Sequence, residues 1–121
     1  METTATPAAE VKTTDTQVGA GREASKGALV TVHYEGFLED GTKFDSSLER
    51  GRPFQFVVGS SKVIKGWSIG IQSPTPMREG GKRTLHIPAE LAYGPRAVGK
   101  IPPNSNLTFN IELIEALPRE E

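Results

Sequence analysis

The 121-residue chain contains no cysteine. That absence excludes a disulfide framework, thiolate catalysis and any cysteine-ligated zinc or iron–sulfur centre. It does not fix the compartment, because a periplasmic chain can lack cysteine too. Net charge is almost absent as well, with 14 Lys and Arg against 15 Asp and Glu and a formal charge of −1. Bulk electrostatics therefore gives no case for a nucleic-acid partner or an anionic membrane surface. No apolar run approaches the ~18 residues that a membrane-spanning helix needs. Residues 1–10 (METTATPAAE) show neither a basic start nor an apolar segment, so no signal peptide is visible in them. A cytoplasmic location is the expectation, and a periplasmic or organellar one is the alternative if a signal has been removed.

Turn formers and apolar alternation are what the chain does have. Thirteen Gly and nine Pro call for many tight turns between short elements, which favours a β-rich architecture. The length suits one domain over residues 11–118, with residues 1–10 as a flexible arm and 119–121 as a C-terminal tail. Residues 11–18 read as a polar edge strand. In 28–38, Val30, Val32 and Tyr34 share one strand face, with Thr31, His33 and Glu35 on the other. Asp40-Gly41 signals a hairpin turn, and 42–46 return from it. Phe54, Phe56 and Val58 alternate in a further strand. Residues 82–87 form another, with Leu85 and Ile87 facing in, and Leu107, Phe109, Ile111 and Leu113 give the cleanest alternation.

One helix is predicted, over 61–72. Val63, Ile64, Trp67 and Ile71 make its apolar stripe, and Ser60 or Ser61 is available as N-cap. Gly66 and Gly70 each cost about 1 kcal/mol relative to Ala, so tertiary packing must hold this helix. Ser73-Pro74-Thr75-Pro76 ends it. The class that follows is α+β: five or six antiparallel strands wrapped around one short helix.

Several chemistries find no support in the residues. Gly19-Ala20-Gly21-Arg22-Glu23-Ala24 fits the dinucleotide fingerprint, but a polar strand precedes it and no helix pattern follows, so it reads as a flexible turn. His33 and His86 lie opposite the apolar faces and have no ligand-spaced neighbours, which makes them solvated strand residues. No nucleophile elbow is present. Asn106-Leu107-Thr108 is a formal glycosylation triplet at a strand start and carries little weight.

The aromatic residues remain: two Tyr, one Trp and five Phe over nearly every element. They can be the core of a small protein or the lining of an apolar pocket. Asp45 bears on the choice. It is the one aspartate that follows an aromatic, in Phe44-Asp45-Ser46-Ser47, and a carboxylate among rings needs a partner. Arg50, five residues on, can supply it.

These residues bring the chain to a known family. It resembles the FKBP-type peptidyl-prolyl isomerases over about residues 18–117. The motifs are Val32-His33-Tyr34-Glu35-Gly36, Asp40-Gly41-Thr42-Lys43-Phe44-Asp45-Ser46-Ser47, Gly51-Arg52-Pro53-Phe54 and Val63-Ile64-Lys65-Gly66-Trp67. Further along come Gly80-Gly81-Lys82-Arg83, Leu91-Ala92-Tyr93-Gly94, Ile101-Pro102-Pro103, Leu107 with Phe109, and Glu112-Leu113. The resemblance implies a pocket with Trp67 as its floor and Tyr34, Phe44, Phe54, Val63, Ile64, Ile101 and Phe109 as walls. It implies that the Ile64 amide and the Tyr93 hydroxyl bind carbonyls, and that Asp45 sits at the edge, held by Tyr34 and Arg50. Asp45, Tyr93, Tyr34 and Phe44 are the candidate catalytic residues. No metal or cofactor is implied. The implied partners are proline-containing peptides or proteins and the macrolides tacrolimus and rapamycin, bound by a monomer.

Two departures from the family pattern stand out. Between Gly70 and Met77 the chain is about three residues longer than the compact family form, with Ser73-Pro74-Thr75-Pro76 in the extra length. The loop 95–100 is slightly short and carries Lys100 where an apolar residue is common. Both bear on substrate preference more than on activity. No large insertion separates Gly94 from Ile101, which argues against a chaperone flap.

Overall fold

The computed structural model describes residues 10–118. The arm expected over 1–10 lies, apart from Glu10, outside these residues, as does the tail at 119–121. The chain runs through β1 (Lys12–Gln17), β2 (Leu29–Phe37), β3 (Lys43–Ser46), the one-turn helix α1 (Ser47–Arg50) and β4 (Phe54–Val57). Helix α2 (Lys65–Gln72), β5 (Lys82–Ile87), a 3-10 turn (Ala89–Leu91) and β6 (Leu107–Leu117) complete it. All pairings are antiparallel, in the order β1-β5-β6-β2-β3. The sixth strand, β4, shares an edge of β2 with β3: Leu29–Val32 pair with β4, and Glu35–Phe37 pair with β3.

Alternation decides which faces are covered. Val30, Val32 and Tyr34 of β2, Leu85 and Ile87 of β5, and Leu107, Phe109, Ile111 and Leu113 of β6 are all buried. They pack with Phe56, Trp67 and Ile71 in one core. The sheet lies against α2, and the two helix glycines explain how closely. A Cβ on Gly66 would collide with the Ile87 side chain, and one on Gly70 would come within 2.7 Å of Leu85 Cδ2. Their poor helix propensity is the cost of bringing the helix backbone down onto β5.

The helix is shorter than the 61–72 predicted. It begins at Lys65 after an extended Ile64 (φ −61°, ψ 151°) and has no side-chain cap. Ser60 instead closes a turn, its N–H donating to the Val57 carbonyl at 3.0 Å. Val63 and Ile64 are therefore loop residues packed against the core, not members of a helical stripe. The C-terminus of α2 is satisfied by an unexpected side chain. Arg83 occupies an inward position of β5 and is 3% exposed. Its Nη1 donates to the carbonyls of Gly70, Ile71 and Ser73 at 2.8, 3.1 and 3.0 Å, and its Nε donates to Asp15 on β1 at 2.6 Å. Asp15 lies on β1, within the edge strand expected over 11–18, directly opposite Arg83.

The segment 19–24 forms no strand–turn–helix unit, and it is anchored. Ala24 N–H donates to the Met77 carbonyl at 2.8 Å, and Arg22 meets the Glu79 carboxylate at 2.9 Å. Glu79 also accepts the Ala116 N–H at 2.7 Å, beside the irregularity in the β2–β6 register. The bonds to Ala116 and Arg22 hold the Glu79 carboxyl at about 2, well below its ordinary 4.5.

Candidate active site

A cavity of about 600 Å³ opens where the elements converge. Strand β2 brings Tyr34 to it, β3 brings Phe44 and Asp45, β4 brings Phe54, and β6 brings Phe109. Helix α2 supplies Trp67, and the loop before it supplies Val63 and Ile64. Tyr93 reaches the cavity from the turn after the 3-10 segment.

Trp67 is the hub of the lining. Its ring centroid stands 4.9 Å from Tyr34, 5.2 Å from Phe109, 5.5 Å from Phe56 and 6.0 Å from Phe54, mostly edge to face. These contacts fix the indole, which is 4% exposed and still borders the cavity. Its Nε1 is buried with no hydrogen-bond partner among the described residues. Phe44 and Phe109 cross at 87° with centroids 5.6 Å apart. That pair requires glycine at position 36, because a Cβ there would come within 2.6 Å of Phe44 Cζ and 2.8 Å of Phe109 Cε1.

Asp45 has the partners its surroundings demand. The Tyr34 hydroxyl donates to Asp45 Oδ2 at 2.6 Å, and Arg50 Nη1 pairs with Asp45 Oδ1. Arg50 Nη2 donates to the Tyr34 oxygen at 2.9 Å, and the guanidinium lies over the Tyr34 ring at 5.5 Å. Helix α1, which sequence patterning did not reveal, places Arg50 there. Ser46 caps it by accepting the Glu49 N–H at 3.2 Å. The fully buried Ser47 accepts the Tyr34 N–H at 2.7 Å and lies 2.8 Å from His33 Nδ1. His33 is therefore half-buried and bonded rather than solvated.

The two tyrosines differ in what they can offer. Burial, then the bond to Asp45, pushes the Tyr34 phenol up, with Arg50 opposing. Its one proton is already committed to Asp45. Burial, then the Asp45 charge, pushes the Tyr93 phenol up, so it too stays protonated at neutral pH. Among the described residues, neither the Tyr93 hydroxyl nor the Ile64 N–H has a protein acceptor. The cavity thus holds two open donors above an aromatic floor.

Other expected residues lie elsewhere. Ile101 is buried in the core and does not border this cavity; a small bridge to Val98 closes its loop. Arg50 acts from behind Asp45 and Tyr34. His86 bonds to Thr108 at 3.2 Å, away from the cavity. Asn106 accepts the Ala89 N–H at 3.0 Å and donates to Glu39 at 3.1 Å, so its amide serves the 3-10 turn. No group of three or more His, Asp or Glu side chains that could hold a metal occurs among the described residues. Lys62, Lys65, Glu90 and Arg96 also border the cavity. None of the four was a candidate site residue from the sequence, because exposed charged residues are ordinarily just solvated.

Comparison with known proteins agrees with the geometry. The family model for FKBP-type peptidyl-prolyl cis-trans isomerase matches residues 20–114. The chain is 53% identical over 102 residues to an FK506-binding protein of Neisseria meningitidis, covering 84% of this chain and 91% of that one. It is 52% identical over 109 residues to the chloroplastic peptidyl-prolyl cis-trans isomerase FKBP13 of Arabidopsis thaliana, covering 83% of this chain and 52% of that protein's length. The crystal structure of AtFKBP13 superposes with a TM-score of 0.80 at 49% identity, covering 87% of this chain and 91% of the other. By sequence, fold and aromatic cavity alike, this chain belongs to the FKBP-type peptidyl-prolyl cis-trans isomerases.

Proposed function

We propose that this isomerase works by holding a prolyl peptide over Trp67 while its imide bond rotates. The observation that carries the reading is the cavity itself, with an indole floor, walls of rings and two unengaged donors, Ile64 N–H and Tyr93 Oη. The planar amide resists rotation by about 18–20 kcal/mol because nitrogen donates into the carbonyl. At the twisted state that conjugation is lost, and the carbonyl becomes less polar. A dry aromatic pocket favours this state over the flat one. The proline ring packs on Trp67, and the two donors hold the flanking carbonyls.

No proton leaves and no covalent bond forms, so neither a nucleophile nor a proton shuttle is required. A 10⁴-fold acceleration needs only about 5.5 kcal/mol. Tyr34 contributes its ring, since its hydroxyl is already engaged. Asp45 and Arg50 position that ring and the β3 wall. The proposed partners are exposed Xaa-Pro segments of proteins, in keeping with assistance to folding, and macrolides such as tacrolimus and rapamycin. We further propose a monomer working in the cytoplasm, with no nucleic-acid or membrane partner.

Exchange NMR on an Xaa-Leu-Pro-Phe peptide, with and without the protein, tests the reading. Faster cis/trans exchange is expected. Shift changes without faster exchange would mean a binding module that lacks turnover, and silence in both would overturn the pocket assignment.

A further inference from the structure

We infer that the rim of this cavity selects prolyl segments with acidic residues flanking the Xaa-Pro bond, an inference that rests on the isomerase reading above. Lys62, Lys65 and Arg96 all border the cavity and are exposed. None has a carboxylate oxygen within 4.0 Å among the described residues. Elsewhere Arg22, Lys43, Arg50, Arg78 and Arg83 each hold at least one, while Lys12, Lys26, Arg52, Lys82 and Lys100 hold none among the described residues. A shared place on one cavity is what sets Lys62, Lys65 and Arg96 apart. The acids bordering the cavity are Asp45, whose charge is taken by Arg50 and Tyr34, and Glu90. Three unpaired cations therefore face one unpaired carboxylate, on a molecule whose formal charge is −1. The rim is thus locally positive on a molecule that is close to neutral.

The placement of the cations gives this excess a direction. Lys62 Nζ lies 5.5 Å from the centroid of Phe54, over the cavity wall. Lys65 directly follows Ile64 and opens α2, whose first turn has no acidic residue. Arg96 is tied to Tyr93 by its own N–H, which donates to the Tyr93 carbonyl at 3.3 Å. The cations thus belong to the same two cavity-bordering segments as the open donors. A peptide held by Ile64 and Tyr93 runs past positive charge on each side of its proline. Low-dielectric walls strengthen such a field within the cleft. Apolar contact with the rings still provides the common part of binding, and the rim charge discriminates among flanks.

Three peptides that share a Leu-Pro-Phe centre and carry Glu, Gln or Lys on both flanks test the inference, with kcat/KM read by exchange NMR on the full chain. At low salt the Glu peptide should exceed the Gln peptide by roughly three- to tenfold, the worth of one or two exposed ion pairs, and the Lys peptide should fall below it. The ratio should shrink from about 0.01 M to about 1 M salt, where the screening length drops from about 30 to about 3 Å. Replacing all three cations (Lys62→Gln, Lys65→Gln, Arg96→Gln) should level the three peptides. Equal acceleration of all three by the unmodified chain, or a Glu preference that survives the triple replacement, overturns the charge selection and leaves the isomerase reading in place. Acceleration of none overturns both.

Discussion

Asp45 is the residue whose role is most open to direct test. Its carboxylate is occupied by Tyr34 and Arg50, and no proton transfer is called for by bond rotation. Asp45→Ala is therefore expected to lower kcat/KM by less than tenfold, about the effect of loosening one positioned ring. A loss of several hundredfold in a folded variant would assign Asp45 a direct part in the reaction. Tyr93 contributes a hydroxyl held neutral by burial and by the nearby Asp45 charge, and Tyr34 shares that upward shift. Neither phenol should lose its proton between about pH 6 and 9, so the rate of a neutral peptide is expected to be flat there. A step in that profile would reveal a titrating group at the site. Tacrolimus or rapamycin should quench Trp67 fluorescence, because the indole borders the cavity; no change at micromolar drug would place the ligand elsewhere.

At the scale of elements, α2 is fixed by what its glycines lack and by what Arg83 supplies. Alanine at position 66 gains about 1 kcal/mol of helix propensity but overpacks Ile87 at a cost of about 1–3 kcal/mol. Gly66→Ala should accordingly be less stable in urea denaturation. Arg83→Leu leaves three carbonyls at the helix end without their donor and should cost at least about 2 kcal/mol. The strands were readable because one buried face forces a period of two, as in Leu107, Phe109, Ile111 and Leu113. Helix α2 was placed correctly but begun too early, because Val63 and Ile64 pack on the same core from a loop and mimic a helical stripe. Helix α1 was invisible: four residues provide no period. Arg83 was equally hidden, since a cation on the inward face contradicts the alternation and only the third dimension shows the carbonyls it meets. The aromatic walls were legible through family motifs, whereas the burial of Ile101 in the core was not, because a buried residue beside a pocket and one lining it look alike in sequence.

For the whole molecule, Glu79 joins three distant stretches: the turn that contains it, Arg22 and the β6 backbone at Ala116. Its folded value of about 2 lies below the ordinary 4.5. Its contribution is therefore complete above about 4.5 and lost as the pH falls toward about 2. At neutral pH Glu79→Gln should be less stable than the parent, and the gap should close across that acid window in denaturation curves. An unchanging gap would assign the effect to shape rather than ionisation.

One edge of β2 serves β3 and β4 in turn, with α1 and its following loop spanning the interval between them. To the sheet, that interval is a detour: the register on either side is set without it. To the cavity it is a buttress: it carries Arg50, which braces Asp45 and Tyr34 from behind, and it leads into Phe54 on the wall. Exchanges at the exposed positions 52 and 53 should accordingly leave the frame that holds the indole as it was, whereas position 51, at φ 74°, closes α1 and calls for glycine.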